Sequence, residues 1–241
     1  MSDYVVRNGL DEIKDAIPQA IALIVRTARW VHPNTFRALP VWYPETARGR
    51  PVYDVTWSAP RVNRHREAGR IQTNVKAQDT LVAALGTRRT RNWTVCHLWG
   101  YDDPTFAQRG SVVADPRFYT CPANMIWLST PLKGFTDSVP EIKTILRTCA
   151  FYLYDWACGH DIVAQQTAAI RSGAMPAGYP SEWPSKNNPN PPPGVAPFTD
   201  RVSAAIEKRK RELRALVDNE ELAFFPRQEV REVLAFWKIT L

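Results

Sequence analysis

Among the four histidines of this 241-residue chain, His97 has the surroundings best suited to chemistry. It lies in the run TVCHLW, a short β-branched and aromatic segment typical of a buried strand. A long loop rich in Asp, Gly and Pro follows, and a second apolar segment then opens with Asn124. Imidazole is the side chain whose charge ordinarily changes near pH 7. We therefore treat His97 and Asn124 as candidate site residues.

This succession of a Cys-His-hydrophobic-aromatic strand, a long loop, an Asn-led apolar segment and a helix resembles the HNH (ββα-metal) nucleases. In that family, two strands and a helix hold one divalent metal ion against the scissile phosphate. The resemblance covers residues 92–156. It implies that His97 acts as the general base on the attacking water. It also implies that Asn124 either fixes the loop that positions the histidine or coordinates the metal.

The resemblance implies a further metal ligand at the helix, where the family has His or Asn. Here Asp137 and Ser138 stand at the predicted helix start. Asp137 offers a carboxylate, which suits magnesium, whereas Ser138 is better explained as the helix N-cap. Cys96 precedes the histidine, and its thiol is a poor partner for Mg²⁺, so we expect it to be buried. The implied cofactor is Mg²⁺ or another divalent ion such as Mn²⁺, held by Asp137 and Asn124.

Two other metal chemistries remain as alternatives. Glu141 and Lys143 form the E-x-K half of a PD-(D/E)xK nuclease site, with Asp115 or Asp137 upstream. In that family E-x-K lies on a strand, whereas the apolar periodicity here favours a helix. A zinc site is the second alternative, although its candidate ligands are scattered along the chain and include no C-x-x-C pair. Those ligands are Cys96, Cys121, Cys149, Cys158 and His160.

The positive charge of the chain is concentrated in one segment. The formal net charge is +7, and residues 44–91 contain ten Lys and Arg against four Asp and Glu. Nine of those ten cations are arginines, whose guanidinium groups suit phosphate oxygens. This distribution favours a polyanionic partner, and a solvated charged face is the alternative. The candidate DNA contacts are Arg61, Arg64, Arg66, Arg70, Arg88, Arg89 and Arg91.

Apolar periodicity predicts most of the secondary structure. Residues 8–31 show a helical pattern that Pro18 should kink or split. Residues 138–154 form the clearest helix, with Ser138 and Glu141 at the spacing of a capping box. Alternation of Tyr53, Val55 and Trp57 predicts a half-buried strand. Further helices are predicted over residues 77–85, 160–171, 200–218 and 227–238.

These elements predict an α+β fold, in which a small ββα-metal module is embedded in a mostly helical body. An N-terminal helix and the arginine-rich segment occupy residues 1–91, and the module with its following helix occupies residues 92–172. Residues 173–198 hold eight of the twenty prolines and predict an extended linker. Residues 199–241 predict a helical hairpin that docks on the core or pairs with a second copy.

We interpret the chain as a divalent-metal-dependent DNA endonuclease, with a type II restriction enzyme as one form of that function. The expected partners are double-stranded DNA and a second copy of the chain in a homodimer, and no membrane. A run of about 18 apolar residues and a signal-peptide pattern are both absent, so we expect a cytoplasmic protein. The alternative is a non-catalytic nucleic-acid-binding or structural protein, in which His97 is a core residue. A catalytic His97 requires a solvent-open basic cleft, whereas a core His97 is buried.

Overall fold

The computed structural model describes residues 8–63, 68–101, 103–106 and 108–241. Within these ranges the chain is mixed helix and strand, with helices around one small two-stranded sheet. The two strands are β1 (Trp93–His97) and β2 (Met125–Ser129). The helices are α1 (Gly9–Glu12), α2 (Ile17–Thr27), α3 (Pro33–Ala38), α4 (Val75–Ala84), α5 (Pro116–Tyr119), α6 (Thr130–Ser138), α7 (Pro140–Tyr154), α8 (Ala164–Arg171), α9 (Asp200–Asp218) and α10 (Arg227–Phe236).

The sheet is antiparallel and buried on both faces. Its register places His97 opposite Met125 and Trp93 opposite Ser129. One face, which includes Cys96, belongs to the core cluster that also contains the apolar stripe of α7. The other face, which includes Val95, packs with residues of α4 and α9. The strands predicted around His97 and after Asn124 are therefore confirmed, and the sheet separates two halves of the core.

Proline divides the N-terminal helix as predicted. A 3-10 turn over Lys14–Ala16 separates α1 from α2, and Pro18 lies in the first turn of α2. Its missing N–H leaves no hydrogen bond unmade at that position. Beyond α2, Arg29 exchanges two backbone hydrogen bonds with Trp127, at 2.9 and 3.0 Å, so the chain pairs with the outer edge of β2.

The predicted capping box at Ser138 is wrong. The chain forms the helix α6 immediately after β2, and Ser138 is its last residue. The next helix, α7, begins at Pro140, and Val139 at its N-cap makes no side-chain hydrogen bond. Asp137 consequently lies in the last turn of α6 and not at the start of the following helix. The apolar stripe of α7 is as predicted, and Ile142, Ile145 and Leu146 are buried.

Residues 49–63 and 68–72 form an irregular ribbon instead of the predicted strand. Val55 is 82% exposed and Trp57 has a φ of +53°, which no strand residue adopts. The ribbon is held by isolated backbone pairs, among them Val52 N to Arg70 O at 2.8 Å and Arg61 N to Val52 O at 2.7 Å. The predicted alternation fails because the aromatic rings pack against Phe224 and Phe225, outside any sheet.

The proline-rich segment contains no helix or strand, as predicted, but it packs on the body of the protein. Trp183 is fully buried and meets Trp30 edge to face, with ring centroids 5.8 Å apart. Trp30 N donates to Gly194 O at 3.0 Å, and Ala196 N donates to Trp30 O at 2.9 Å. The segment thus closes part of the core as well as connecting α8 to α9.

The two C-terminal helices are confirmed, and α9 is fixed to the body by one buried ion pair. Arg209 donates to Glu45 Oε1 at 2.6 Å and to Trp42 O at 2.7 Å. Its guanidinium carbon lies 4.4 Å from the centroid of the Tyr43 ring. Across the described ranges, we find no helix with the length and apolar character needed to cross a membrane.

We expect Glu45→Ala to destabilise the protein by about 3–5 kcal/mol, because it removes the buried carboxylate that pairs with the buried Arg209 guanidinium. Glu212 is a matched control, since it also contacts Arg209, at 3.3 Å, but is 46% exposed. We expect Glu212→Ala to change stability by less than about 1 kcal/mol. Urea unfolding of both variants measures the difference, and equal losses would show that the buried pair does not hold α9.

Candidate functional site

His97 is the last residue of β1, as predicted, and its side chain lies on the face of the sheet away from α6. Neighbouring strand residues point to opposite faces. Cys96 contacts α6, with its Sγ 3.2 Å from Thr136 Oγ1, whereas the His97 ring stacks on Tyr119. His97 Nε2 lies 2.9 Å from Tyr119 O. Only 7% of His97 is exposed, so the imidazole is held inside the second half of the core.

Burial controls the electrostatics of His97. It lowers the pKa of the imidazole to about 4, and nearby Arg48 and Lys143 act in the same direction, against the hydrogen bond to Tyr119 O. The ring is therefore neutral at pH 7, as a general base must be. A pKa of about 4 is nonetheless well below the range near the operating pH in which a general base is most effective. This environment is that of a core histidine.

Asn124 stands directly before β2 and clamps the two ends of the long loop that separates the strands. Its Nδ2 donates to Trp99 O at 3.2 Å and to Phe118 O at 3.1 Å, and its Oδ1 accepts from Trp99 N at 2.8 Å. Trp99 lies two residues after His97, and Phe118 precedes Tyr119. The amide thus fixes the backbone that carries His97 and the carbonyl that binds it.

The structure does not bring Asp137 to this position. Asp137 is exposed in the last turn of α6, where its carboxylate pairs with Lys133. Asn124 is fully buried, and its Oδ1 already has a donor. Within the residues that the structure describes, no group of three or more His, Cys, Asp or Glu is arranged to hold a metal ion. The residues present therefore do not fit the metal centre that the resemblance implies.

A buried charge cluster next to the loop was not predicted. Arg147 of α7 donates to Asp103 Oδ2 at 2.6 Å and to Leu98 O at 2.8 Å, and Lys143 Nζ lies 3.4 Å from the same carboxylate oxygen. Burial opposes ionisation of Asp103, but Arg147, Thr105 and Lys143 outweigh it and lower its pKa to about 2. The cluster ties the start of the loop to α7. The signal in the sequence is the spacing of Lys143 and Arg147, which places both cations on one helix face.

The other two metal chemistries find no support in the geometry. Glu141 and Lys143 lie on the helix α7, not on a strand, and Lys143 is engaged with Asp103. Asp115 caps α5 and pairs with Arg117. Cys96, Cys121, Cys149 and Cys158 are buried free thiols, and burial raises the pKa of each. These cysteines pack as small apolar residues.

The candidate arginines lie on the surface wherever the structure describes them. Arg61 and Arg70 are exposed on the ribbon, and Arg64 and Arg66 lie outside the described residues. Three more are exposed on the turn between α4 and β1, which we call the arginine turn (residues 86–92). They are Arg88, Arg89 and Arg91.

Comparison with protein-family models, with curated proteins and with solved structures finds no match for this chain.

We expect the stability of the protein to fall as the pH drops from 6.5 towards 4, by roughly 3 kcal/mol through His97 alone. In this window the unfolded chain, with an ordinary histidine pKa of 6.5, binds a proton that the folded chain excludes until about pH 4. His97→Gln, which keeps an N–H for Tyr119 O, should remove that dependence. Denaturant unfolding at pH 7.5, 5.5 and 4.5 measures it.

His160 provides the control for this experiment. Its ring is half-buried and accepts from Ile162 N, a role that Asn can assume. His160→Asn, measured at the same three pH values, is the reference with which the His97→Gln curve is compared. If His97→Gln retains the full dependence, His97 is accessible to protons in the folded protein, and its assignment to the core is wrong.

Proposed function

We propose that this protein binds nucleic acid through the arginine turn and the adjoining ribbon. The observation that carries the proposal is that the side chains of Arg88 and Arg91 are exposed and unpaired within the described structure. Both are exposed, and neither makes an ion pair with any residue that the structure describes. Arginines in this state can form bidentate hydrogen bonds with phosphate oxygens without first breaking an internal contact.

The backbone of the arginine turn is held at both ends. Gly86 adopts a φ of +62° and Asn92 a φ of +61°. At the first end, Thr87 N donates to Val82 O at 3.0 Å; at the second, Thr130 N donates to Asn92 O at 2.8 Å. A fixed loop loses little conformational entropy on binding, which favours affinity for a regular array of phosphates.

The ribbon adjoins the same surface. An open groove of about 870 Å³ is lined by charged residues of both signs, among them Arg61, Arg70 and Asp79. Asp79 belongs to α4 and pairs with Arg89 of the arginine turn. The ion pair therefore connects the turn to the groove that the ribbon arginines border. Phosphate contacts spread over both would give affinity that is independent of sequence, and the salt dependence of binding reports it.

We expect the double variant Arg88→Ala/Arg91→Ala to bind duplex DNA more weakly and with a shallower salt dependence. Loss of two phosphate contacts should reduce the slope of log K against log salt by roughly 1.8. Fluorescence anisotropy with a labelled duplex between 50 and 300 mM salt measures it. The charge-matched control is Arg26→Ala/Arg171→Ala, which removes two exposed arginines of α2 and α8. Equal slopes in both variants would mean that the turn is not the contact surface.

Endonuclease activity is the second candidate. Two observations favour it: the strand–strand–helix order of β1, β2 and α6, and the clamp through which Asn124 fixes the loop around His97. The clamp corresponds to one of the two roles that the resemblance gives the asparagine. This candidate comes second because His97 is buried and Asp137 lies apart from it. We assign no catalytic step to a metal ion.

This second candidate predicts cleavage of DNA in Mg²⁺ or Mn²⁺ but not in EDTA, with loss of cleavage in His97→Gln and unchanged DNA binding. Incubation of supercoiled and linear DNA with each protein, followed by gel electrophoresis, measures it. Discrete fragments would identify a specific enzyme and a smear a non-specific one. If DNA remains intact in every metal while the arginine-turn variants still alter binding, the endonuclease candidate is wrong and the binding function stands.

A further inference from the structure

A second cavity, of about 430 Å³, opens beside the arginine turn, and we call it the tryptophan cavity. Its volume is in the range of small-molecule sites in proteins. It lies between the outer end of the sheet and the proline-rich segment. The residues that line it and carry the argument are Arg29, Thr87, Thr90, Trp93, Trp127 and Gly194.

Two indole rings form its aromatic wall. Trp127 of β2 pairs with Val95, and Trp93 lies two residues earlier on β1, so the two tryptophans are diagonal neighbours on one face of the sheet. Their ring centroids are 5.3 Å apart, with the planes inclined at 42°. Trp93 is only partly buried. The cavity therefore offers aromatic surface on which a flat ring can stack.

The same wall presents hydrogen-bond donors that have no acceptor. Trp127 is 4% exposed, and its Nε1 is buried without a partner in the described structure. This N–H has almost no accessible surface, so the donors within reach of a ligand are those of Arg29. Arg29 lies with its guanidinium carbon 5.4 Å from the Trp93 ring centroid. Among the described residues, its hydrogen bonds are those from Nη1 to the carbonyls of Thr27 and Ala28.

The opposite wall is rigid and depends on a glycine. Gly194 has a φ of +82°, and a Cβ at this position would lie 2.1 Å from Ala28 O and 3.1 Å from Arg29 Nη1. Only glycine lets the segment approach so closely. The backbone bonds between Trp30 and residues 194 and 196 hold the segment there. The side of the cavity formed by the proline-rich segment is thus held by backbone hydrogen bonds and by the close approach at Gly194.

We infer that the tryptophan cavity binds one unpaired nucleobase of a single-stranded nucleic acid. The ligand must be flat, must carry hydrogen-bond acceptors and must reach a rim formed by Thr87 and Thr90. Arg88 follows Thr87 in the chain, and Arg91 follows Thr90. These arginines would therefore bind the phosphates next to the base that occupies the cavity. A base stacked within a duplex cannot enter such a site, which favours a single strand. This inference rests on the proposed nucleic-acid binding.

The test compares two labelled probes with the full-length protein by anisotropy: an eight-nucleotide single-stranded DNA, and an abasic strand of the same length. We expect the DNA to bind about 5- to 150-fold more tightly, the range for one base stacked on an aromatic ring. Trp93→Leu should reduce the affinity for the DNA to that for the abasic strand, without changing the latter. Thr90→Met, an exposed rim substitution that leaves the core intact and adds no aromatic ring, should have the same effect by filling the entrance.

Trp57→Leu is the matched control, because Trp57 belongs to the separate aromatic stack with Tyr53 on the ribbon. It should retain the preference for the base-containing strand. If Trp57→Leu removes the preference and Thr90→Met does not, the bases bind on the ribbon and the inference is overturned. Equal binding of both probes by the wild type, still weakened by Arg88→Ala/Arg91→Ala, would reject the cavity alone. Absence of binding to either probe and to duplex DNA would reject the proposed function, and the cavity inference with it.

Discussion

The structure depends on the burial of both faces of a sheet that has only two strands. An isolated two-stranded ladder is marginal in water, so β1 and β2 require cover on each side. Helices α6 and α7 supply it on the face of Cys96, and α4 and α9 supply it on the face of His97. The C-terminal hairpin is consequently part of the core, and its anchor through Arg209 and Glu45 helps to close the face that holds the imidazole.

The same constraint makes the long loop between the strands an ordered element. Its polar backbone passes close to the core and needs partners there. The Asn124 amide supplies three of them, and Arg147, neutralised by Asp103, supplies another at Leu98 O. The polar side chains around His97 are therefore engaged in hydrogen bonds that fix the loop to the core. The exposed cations of the arginine turn and the tryptophan cavity lie elsewhere, at the opposite end of β1.

These two features share one scaffold. The arginine turn leads into β1, which begins with Trp93, and Trp127 lies beside it on β2. Phosphate binding on the turn and base stacking on the sheet would thus use adjacent positions on a rigid support, which is how proteins that bind single strands combine charge with aromatic surface. The nuclease candidate would use a different region, around the end of β1. That region is packed, and among the described residues no group of three or more His, Cys, Asp or Glu is arranged there to hold a metal ion.

The sequence by itself determined the features that local patterns encode: the interruption of the first helix before Pro18, the stripe of α7, the two C-terminal helices, and the strand that ends at His97. It also placed the excess charge in one segment. It did not predict the end of α6 at Ser138, the ribbon around Trp57, or the docking of the proline-rich segment. Only the tertiary structure decided which face of β1 the histidine occupies, what the asparagine clamps, and that Asp137 remains apart. Those outcomes depend on long-range packing, in which residues far apart in the chain compete for the same buried space, and periodicity carries no information about that competition.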